Sequence, residues 1–105
     1  MNNVIGSSTQ MDPNGPSVKV TNYYAPWCGH SRNLLPTWEE VENTYARHSR
    51  IQVDKIDCEK NPEAAKENEI RGFPTIILYK DNDKIVYQGK RDLESIKAFI
   101  GKHLE

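Results

Sequence analysis

Hydrophobic and polar positions divide the chain into strand-like and helix-like segments from residue 17 onward. The segment Ser17 to Tyr24 is rich in Val, Thr and Tyr, a composition that predicts a buried strand. From His30 to about Arg47, apolar residues recur every three or four positions, which is the period of a helix with one buried face. Ile51 to Asp57 alternates loosely between apolar and polar residues, and we interpret it as a second strand.

The second half of the chain predicts a short helix, a hairpin and a final helix. A cap residue and a first-turn proline open a helix that spans Asn61 to about Glu69. Two β-rich runs, Thr75 to Tyr79 and Lys84 to Gln88, flank a polar turn and predict a hairpin. Asp92 is the predicted cap of a last helix, whose apolar residues are expected to face the sheet.

This order of elements predicts an α/β fold. A strand, a helix and a second strand require a parallel crossover, and the later hairpin adds an antiparallel pair at the sheet edge. We therefore expect a central mixed sheet of four or five strands with helices on both faces. Residues 1–16 are rich in Gly, Ser, Asn, Asp and Pro and predict an N-terminal arm with at most a short strand near Val4 and Ile5. Residues 17–105 are predicted to form the domain.

Composition limits the classes of partner. The chain has 105 residues, enough for one domain, and 14 Lys and Arg face 15 Asp and Glu, a formal net charge of −1. No basic patch favours nucleic acid or an anionic membrane surface, and no apolar run approaches the roughly 20 residues that span a bilayer. We expect a monomer that binds neither nucleic acid nor membrane.

The two cysteines, Cys28 and Cys58, lie 30 positions apart, which excludes a disulfide framework and lacks the paired spacing of a structural zinc site. We therefore expect no metal. The first residues contain no apolar stretch of the signal-peptide kind. The compartment stays open: the secretory pathway if a signal has been removed, and the cytoplasm otherwise.

Cys28 is the candidate nucleophile, because it falls where the first helix is predicted to begin. Unpaired N–H groups and the positive end of the helix dipole favour a thiolate there. His30, as an imidazolium, would add positive charge beside the sulfur, although it is also compatible with a plain exposed position. Ser31 stands where a dithiol site carries its second sulfur, and a hydroxyl cannot release Cys28 from a mixed disulfide. The simplest alternative for Cys28 is a small buried hydrophobic residue.

The neighbours of Cys28 fit such a site. Trp27 is compatible with the core or with a flat apolar surface for substrate, and Gly29 permits close approach of a backbone. The Ser31 hydroxyl is placed to donate a hydrogen bond to the thiolate. Cys58 is predicted to be a structural thiol.

The run Tyr24-Ala25-Pro26-Trp27-Cys28-Gly29-His30, together with Pro36 and the later Phe73-Pro74-Thr75, resembles a thioredoxin-fold domain of the protein disulfide isomerase type. The resemblance covers roughly Val18 to Leu104. It implies a thioredoxin-like fold whose first helix is short or missing here. The family carries a cysteine at position 31, so the Cys-Gly-His-Ser site is atypical.

The resemblance also implies roles for residues far from Cys28 in sequence. Pro74 would be cis and face the sulfur, with Phe73 and Thr75 beside it and the backbone before the proline pairing with an extended substrate. Arg91 matches an arginine that swings toward the sulfurs, although a solvated charge is the plain alternative. Asn22 stands where the family buries an acid that passes a proton to the second cysteine. A neutral amide is cheaper to bury, which agrees with the loss of that cysteine.

These residues lead to the hypothesis of monothiol thiol–disulfide exchange through Cys28, with His30, Ser31 and Arg91 assisting. The expected substrates are proteins with disulfides or glutathionylated cysteines. Glutathione or another external thiol would act as co-reductant, and no bound cofactor is expected.

Three alternatives stay open. Monothiol glutaredoxins carry Cys-Gly-x-Ser and hold an iron–sulfur cluster with glutathione. A redox-inactive module would bind peptides through the surface around Trp27 and Pro74. Finally, Ser31 would be the product of substitution in a Cys-to-Ser trap variant of an ordinary isomerase domain, although such a variant normally keeps the buried acid that Asn22 replaces here.

Overall fold

The computed structural model describes residues 16–104, and within them the chain forms four strands and three helices. In chain order these elements are β1 (Val18–Tyr24), α1 (Gly29–Thr44), β2 (Ile51–Asp57), α2 (Pro62–Glu67), β3 (Thr75–Lys80), β4 (Asp83–Val86) and α3 (Leu93–Lys102). The predicted order of elements is confirmed throughout this part of the chain. The predicted arm and its short strand near Val4 lie almost wholly outside the described residues.

The four strands form one mixed sheet in the order β2-β1-β3-β4. β1 pairs in parallel with β2, which is possible because α1 returns the chain to the starting edge of the sheet. β3 pairs antiparallel with β1 on one side and with β4 on the other. The predicted mixed sheet and its antiparallel hairpin are therefore confirmed, with β1 in a central position.

Alternating residues of β1 point into two separate cores. Val18 and Val20 face α1 and α3, whereas Tyr23 faces α2 on the opposite side of the sheet. The prediction of helices on both faces is thus confirmed. The buried members of the larger core are Val18, Val20, Leu34, Trp38, Val41, Ile51, Ile76, Leu78, Ile96 and Ile100.

Several element boundaries differ from those predicted. α1 ends at Thr44, before the expected Arg47, and α2 ends at Glu67 because Glu69 has a left-handed backbone with φ of 57°. The side chain of Asn61 makes no cap to α2, although the residue occupies the N-cap position. Asp92 caps α3 as expected, since its carboxylate accepts a hydrogen bond from the Ser95 N–H at 2.8 Å. No described helix has the length and apolar character required to cross a membrane.

Asn22 is a buried polar residue of the central strand β1. Its side chain is completely buried, and neither Oδ1 nor Nδ2 has a hydrogen-bond partner among the described residues. The next residue along the strand toward the N-terminus, Thr21, is equally buried, but its hydroxyl donates to the Asp54 carboxylate at 2.7 Å. An unsatisfied buried amide lowers the stability of the folded state by about 1–3 kcal/mol.

We predict that Asn22→Leu raises the free energy of unfolding by about 1 kcal/mol, because a side chain of similar branched shape removes the unpaired polar atoms. Thr21→Val is the matched control, and it should lower the free energy of unfolding by about 1 kcal/mol, since it breaks a satisfied hydrogen bond. Urea unfolding of the three proteins provides the measurement. Destabilisation by Asn22→Leu as large as that by Thr21→Val would show that the amide is satisfied in solution.

Candidate active site

The loop between β1 and α1 places Cys28 at the start of a helix. Its N–H donates to the Ala25 carbonyl at 3.0 Å, and its own carbonyl accepts from the Arg32 N–H at 3.0 Å, which begins α1. Cys28 is the N-cap residue and has an extended backbone, with φ of −92° and ψ of 125°. The N–H groups of the following three residues therefore have no carbonyl partner inside the helix, and they lie next to the sulfur.

The Cys28 thiol is partly exposed and donates a long hydrogen bond, 3.5 Å, to the Phe73 carbonyl. In this neutral form it makes no capping bond to α1. Loss of the proton removes the bond to Phe73 and leaves an anion beside the helix N–H groups. The 3.5 Å hydrogen bond therefore belongs to the neutral thiol, whereas the N–H groups at the start of α1 stabilise the thiolate.

The pKa of the Cys28 thiol is lowered from its ordinary value, chiefly because the Ser31 backbone N–H stabilises the thiolate. Partial desolvation opposes this shift, and the His30 backbone N–H, the Ser31 hydroxyl and the positive charge of Arg32 add to it. The contribution of His30 to this pKa thus comes through its backbone and not through the imidazole that the sequence singled out. A lowered pKa makes Cys28 more nucleophilic near neutral pH.

Ser31 is completely buried on the inner face of α1. Its Oγ accepts a hydrogen bond from the Ala25 N–H at 3.1 Å, which ties the first turn of α1 to the end of β1. Because that bond uses a lone pair, the hydroxyl proton stays available for the sulfur. The position where a dithiol site carries its second sulfur is therefore an anchored hydroxyl, closed to solvent.

The loop before β3 meets the helix start. The Phe73–Pro74 peptide bond is cis, as expected, and Pro74 is buried. The Thr75 hydroxyl donates to the Gly72 carbonyl at 2.7 Å and closes the loop. Since Thr75 pairs in register with Tyr23 near the end of β1, the antiparallel pairing brings this loop to the same edge as Cys28.

Trp27 lies on the surface, with 65% of its area exposed, so its placement in the core is excluded. Its ring contacts Phe73 edge to face, with centroids 5.8 Å apart and an interplanar angle of 81°. Phe73 in turn packs against the smaller core around Tyr23 and Ile77. The two rings form a fixed apolar surface beside the sulfur, which we call the Trp27–Phe73 surface.

The remaining predicted site residues are more exposed. Gly29 and His30 lie on the outside of the first turn of α1. Arg91 is exposed in the segment between β4 and α3, with no hydrogen bond or ion pair among the described residues. Its movement toward the sulfur stays a prediction.

Arg32 is the residue that the sequence interpretation missed. Its guanidinium donates to the Pro26 carbonyl at 3.0 Å, and its charge lowers the pKa of Cys28. The spacing in the sequence could have revealed this role, because residues four apart are neighbours on one side of a helix. Arg32 follows Cys28 by four positions.

Cys58 has the surroundings of a structural thiol. It is 6% exposed, packs with Tyr23 and Ile77, and has a pKa raised first by burial and then by the charge of Asp57. Both cysteines are free thiols. Within residues 16–104, no three His, Cys, Asp or Glu side chains come together in a way that would hold a metal ion.

Residues 13–102 match the family model described as Thioredoxin. The Saccharomyces cerevisiae protein disulfide-isomerase is 44% identical over 102 residues, which cover 92% of this chain and 19% of that protein. The Datisca glomerata protein disulfide-isomerase is 40% identical over 88 residues, which cover 79% of this chain and 17% of that protein.

A solved structure, the Trx4 domain of ERdj5, superposes with a TM-score of 0.74 at 26% identity, and the match covers 88% of this chain and 83% of that chain. The chain spans about a fifth of the length of the curated relatives it matches. These similarities confirm the expected resemblance to thioredoxin-fold domains of the protein disulfide isomerase type.

We predict that alkylation of Cys28 by iodoacetamide follows a single thiol titration whose midpoint lies below the value of about 8.5 for free cysteine. Ser31→Ala should move this midpoint upward, because the thiolate loses one hydrogen-bond donor while the neutral thiol is unaffected. The measurement is the second-order alkylation rate against pH, and Cys58→Ala is the control that should leave the midpoint unchanged. A midpoint at the free-cysteine value would contradict the assignment of Cys28 as an activated thiol.

Proposed function

Because the chain belongs to the thioredoxin family, we propose that it is a thiol–disulfide oxidoreductase domain of the protein disulfide isomerase type that works through one sulfur, Cys28. The observation that carries this proposal is the pair formed by a stabilised thiolate at Cys28 and a buried hydroxyl at Ser31. The first supplies a nucleophile, and the second removes the internal thiol that would end the reaction within the domain.

In the first step the Cys28 thiolate attacks one sulfur of a substrate disulfide. A new Cys28–substrate disulfide forms, the substrate S–S bond breaks, and the second substrate sulfur leaves as a thiolate. No electrons are gained or lost overall, since one disulfide and one thiolate are consumed and one of each is produced.

The second step needs another thiolate, because the Ser31 hydroxyl cannot attack the mixed disulfide and release Cys28. A neighbouring substrate thiolate attacks the substrate sulfur of the mixed disulfide, which forms a different substrate disulfide and expels Cys28 as a thiolate. When glutathione attacks instead, the substrate becomes glutathionylated and awaits a second glutathione. With a glutathionylated cysteine, the Cys28 thiolate attacks the glutathione sulfur, so that a Cys28–glutathione disulfide forms and the substrate leaves as a thiolate. A free glutathione thiolate then attacks the glutathione sulfur on Cys28, which forms glutathione disulfide and releases the Cys28 thiolate.

The stabilised thiolate assists both steps. The donors that lower the pKa of Cys28 favour its ionised form before attack, and they also favour its departure in the second step. Exchange in both directions therefore relies on the same N–H groups of α1.

Substrate binding uses the loop before β3. Once Cys28 is ionised or joined to substrate it no longer donates to the Phe73 carbonyl, and that acceptor becomes available to a backbone N–H of an extended substrate. The Trp27–Phe73 surface offers apolar contact beside it. An extended segment of a protein that carries a disulfide or a glutathionylated cysteine would supply both the backbone N–H and the apolar contact. The name of the relatives, protein disulfide-isomerase, points to protein disulfides.

We predict that Ser31→Cys increases dithiol oxidation of a reduced peptide about tenfold or more, because an internal thiol acts at a high effective molarity. Rescue of a scrambled protein by isomerisation should change by less than about threefold, since that route already uses substrate thiols. The two assays are run side by side with Cys28→Ala, which should lack both activities. Equal oxidation rates for the original and the Ser31→Cys proteins would refute the monothiol proposal.

A second candidate function is peptide binding without redox chemistry, and the exposure of Trp27 favours it. Cys28→Ala separates the two functions, because a pure binding module would keep its full activity in preventing aggregation of an unfolded protein.

We expect Trp27→Ala to weaken the binding of an extended peptide about fivefold or more, as the loss of an exposed aromatic anchor commonly does. The midpoint of Cys28 alkylation should stay unchanged, since Trp27 is not among the groups that shift its pKa. Fluorescence anisotropy of a labelled peptide provides the affinity. Unchanged affinity would remove the Trp27–Phe73 surface from the substrate site.

A further inference from the structure

The positively charged side chain of Arg32 packs against the loop that contains the reactive Cys28. Its backbone N–H donates to the Cys28 carbonyl at 3.0 Å, and its Nη1 donates to the Pro26 carbonyl at 3.0 Å. Nη2 lies 3.8 Å from the position that a Cβ on Gly29 would take. The guanidinium therefore lies against the loop of residues 26–29, which contains Cys28.

This charge has no carboxylate partner within residues 16–104. The ion pairs in that part of the chain are Lys55 with Glu42 and Lys97 with Glu94, and the first turn of α1 contains no acidic residue. Asp57, at the end of the neighbouring strand β2, uses its Oδ1 to accept from the N–H groups of Glu59 and Lys60. The positive field beside the sulfur is therefore not neutralised by a carboxylate in contact with Arg32.

The guanidinium also has donors to spare. It carries five N–H groups in a fixed planar fork, and the Pro26 carbonyl accepts from one nitrogen. The side chain is exposed, so the remaining donors are accessible from solvent. A planar fork of this kind matches a carboxylate better than an ammonium group does.

We propose that Arg32 is a specificity residue that favours reactants carrying carboxylates close to the attacked sulfur, and that it thereby directs exchange toward mixed disulfides of anionic low-molecular-weight thiols, glutathione among them. This inference rests on the proposed function for its substrate class. The preference itself is a property of the charge beside Cys28, and it applies to any reagent that approaches the sulfur.

The test compares alkylation of Cys28 by iodoacetate, which is anionic, with alkylation by iodoacetamide, which is neutral. Both reagents consume the same thiolate, so the ratio of their rate constants cancels any change in the pKa of Cys28. Arg32→Gln removes the charge and retains an amide donor that can reach Pro26. We expect this variant to lower the ratio about 1.5- to 5-fold at low salt, the range that exposed charge pairs give.

Two further variants sharpen the result. Arg32→Lys keeps the charge and should retain most of the ratio. Arg47→Gln removes one charge beyond the opposite end of α1, a helix of 16 residues that is roughly 24 Å long, and it should leave the ratio unchanged. The effect of Arg32→Gln should shrink near 1 M salt, where the screening length falls to about 3 Å.

A ratio that does not respond to Arg32→Gln, or that responds equally to Arg47→Gln, overturns this inference whatever the exchange rates are. Exchange assays then extend the test: Arg32→Gln should slow reaction with glutathione disulfide more than reaction with the neutral hydroxyethyl disulfide. An absence of exchange alongside a changed alkylation ratio would overturn the proposed function instead, and would leave the anion preference of Arg32 standing.

Discussion

Stabilisation of the Cys28 thiolate by the open N–H groups of α1 is the interaction on which this site depends. A helix leaves its first N–H groups without carbonyl partners, and Cys28 occupies the N-cap position directly before them. The sheet fixes where this happens, since β1 ends directly before the loop and is the central strand that pairs with both β2 and β3. The Ser31 hydroxyl then locks the first turn of α1 to the end of β1.

Chemistry and fold are coupled at Ser31. The same buried oxygen that accepts the Ala25 N–H occupies the place from which a second thiol would act. Asn22 agrees with this arrangement, because its neutral side chain is buried where the resemblance implies a proton-passing acid. With no internal thiol to activate, no such acid is needed. The domain combines the Cys28 thiol with the cis-proline loop and an apolar surface. Under the proposed function, external thiols complete each exchange.

Much of the fold could be predicted from the sequence, because periodicity and capping are local signals. The order of elements, the mixed sheet and the helix start at Cys28 followed from them. The predicted ends of the helices were less accurate. Glu69 has a left-handed backbone just after α2, and a glutamate in the sequence does not predict that conformation. The exposure of Trp27 and the missing partners of Asn22 depend on tertiary packing. Arg32 was missed because its effect on Cys28 depends on where a long side chain points.

Intact-protein mass spectrometry tests most directly whether Cys28 reacts as a solitary thiol. The protein is treated with glutathione disulfide, freed of small molecules and followed over time. We predict one glutathionyl group on Cys28 that persists until an external thiol is added, with Cys58 reduced throughout. Spontaneous loss of the glutathionyl group with formation of a Cys28–Cys58 disulfide, or failure of Cys28 to react at all, would contradict the claim.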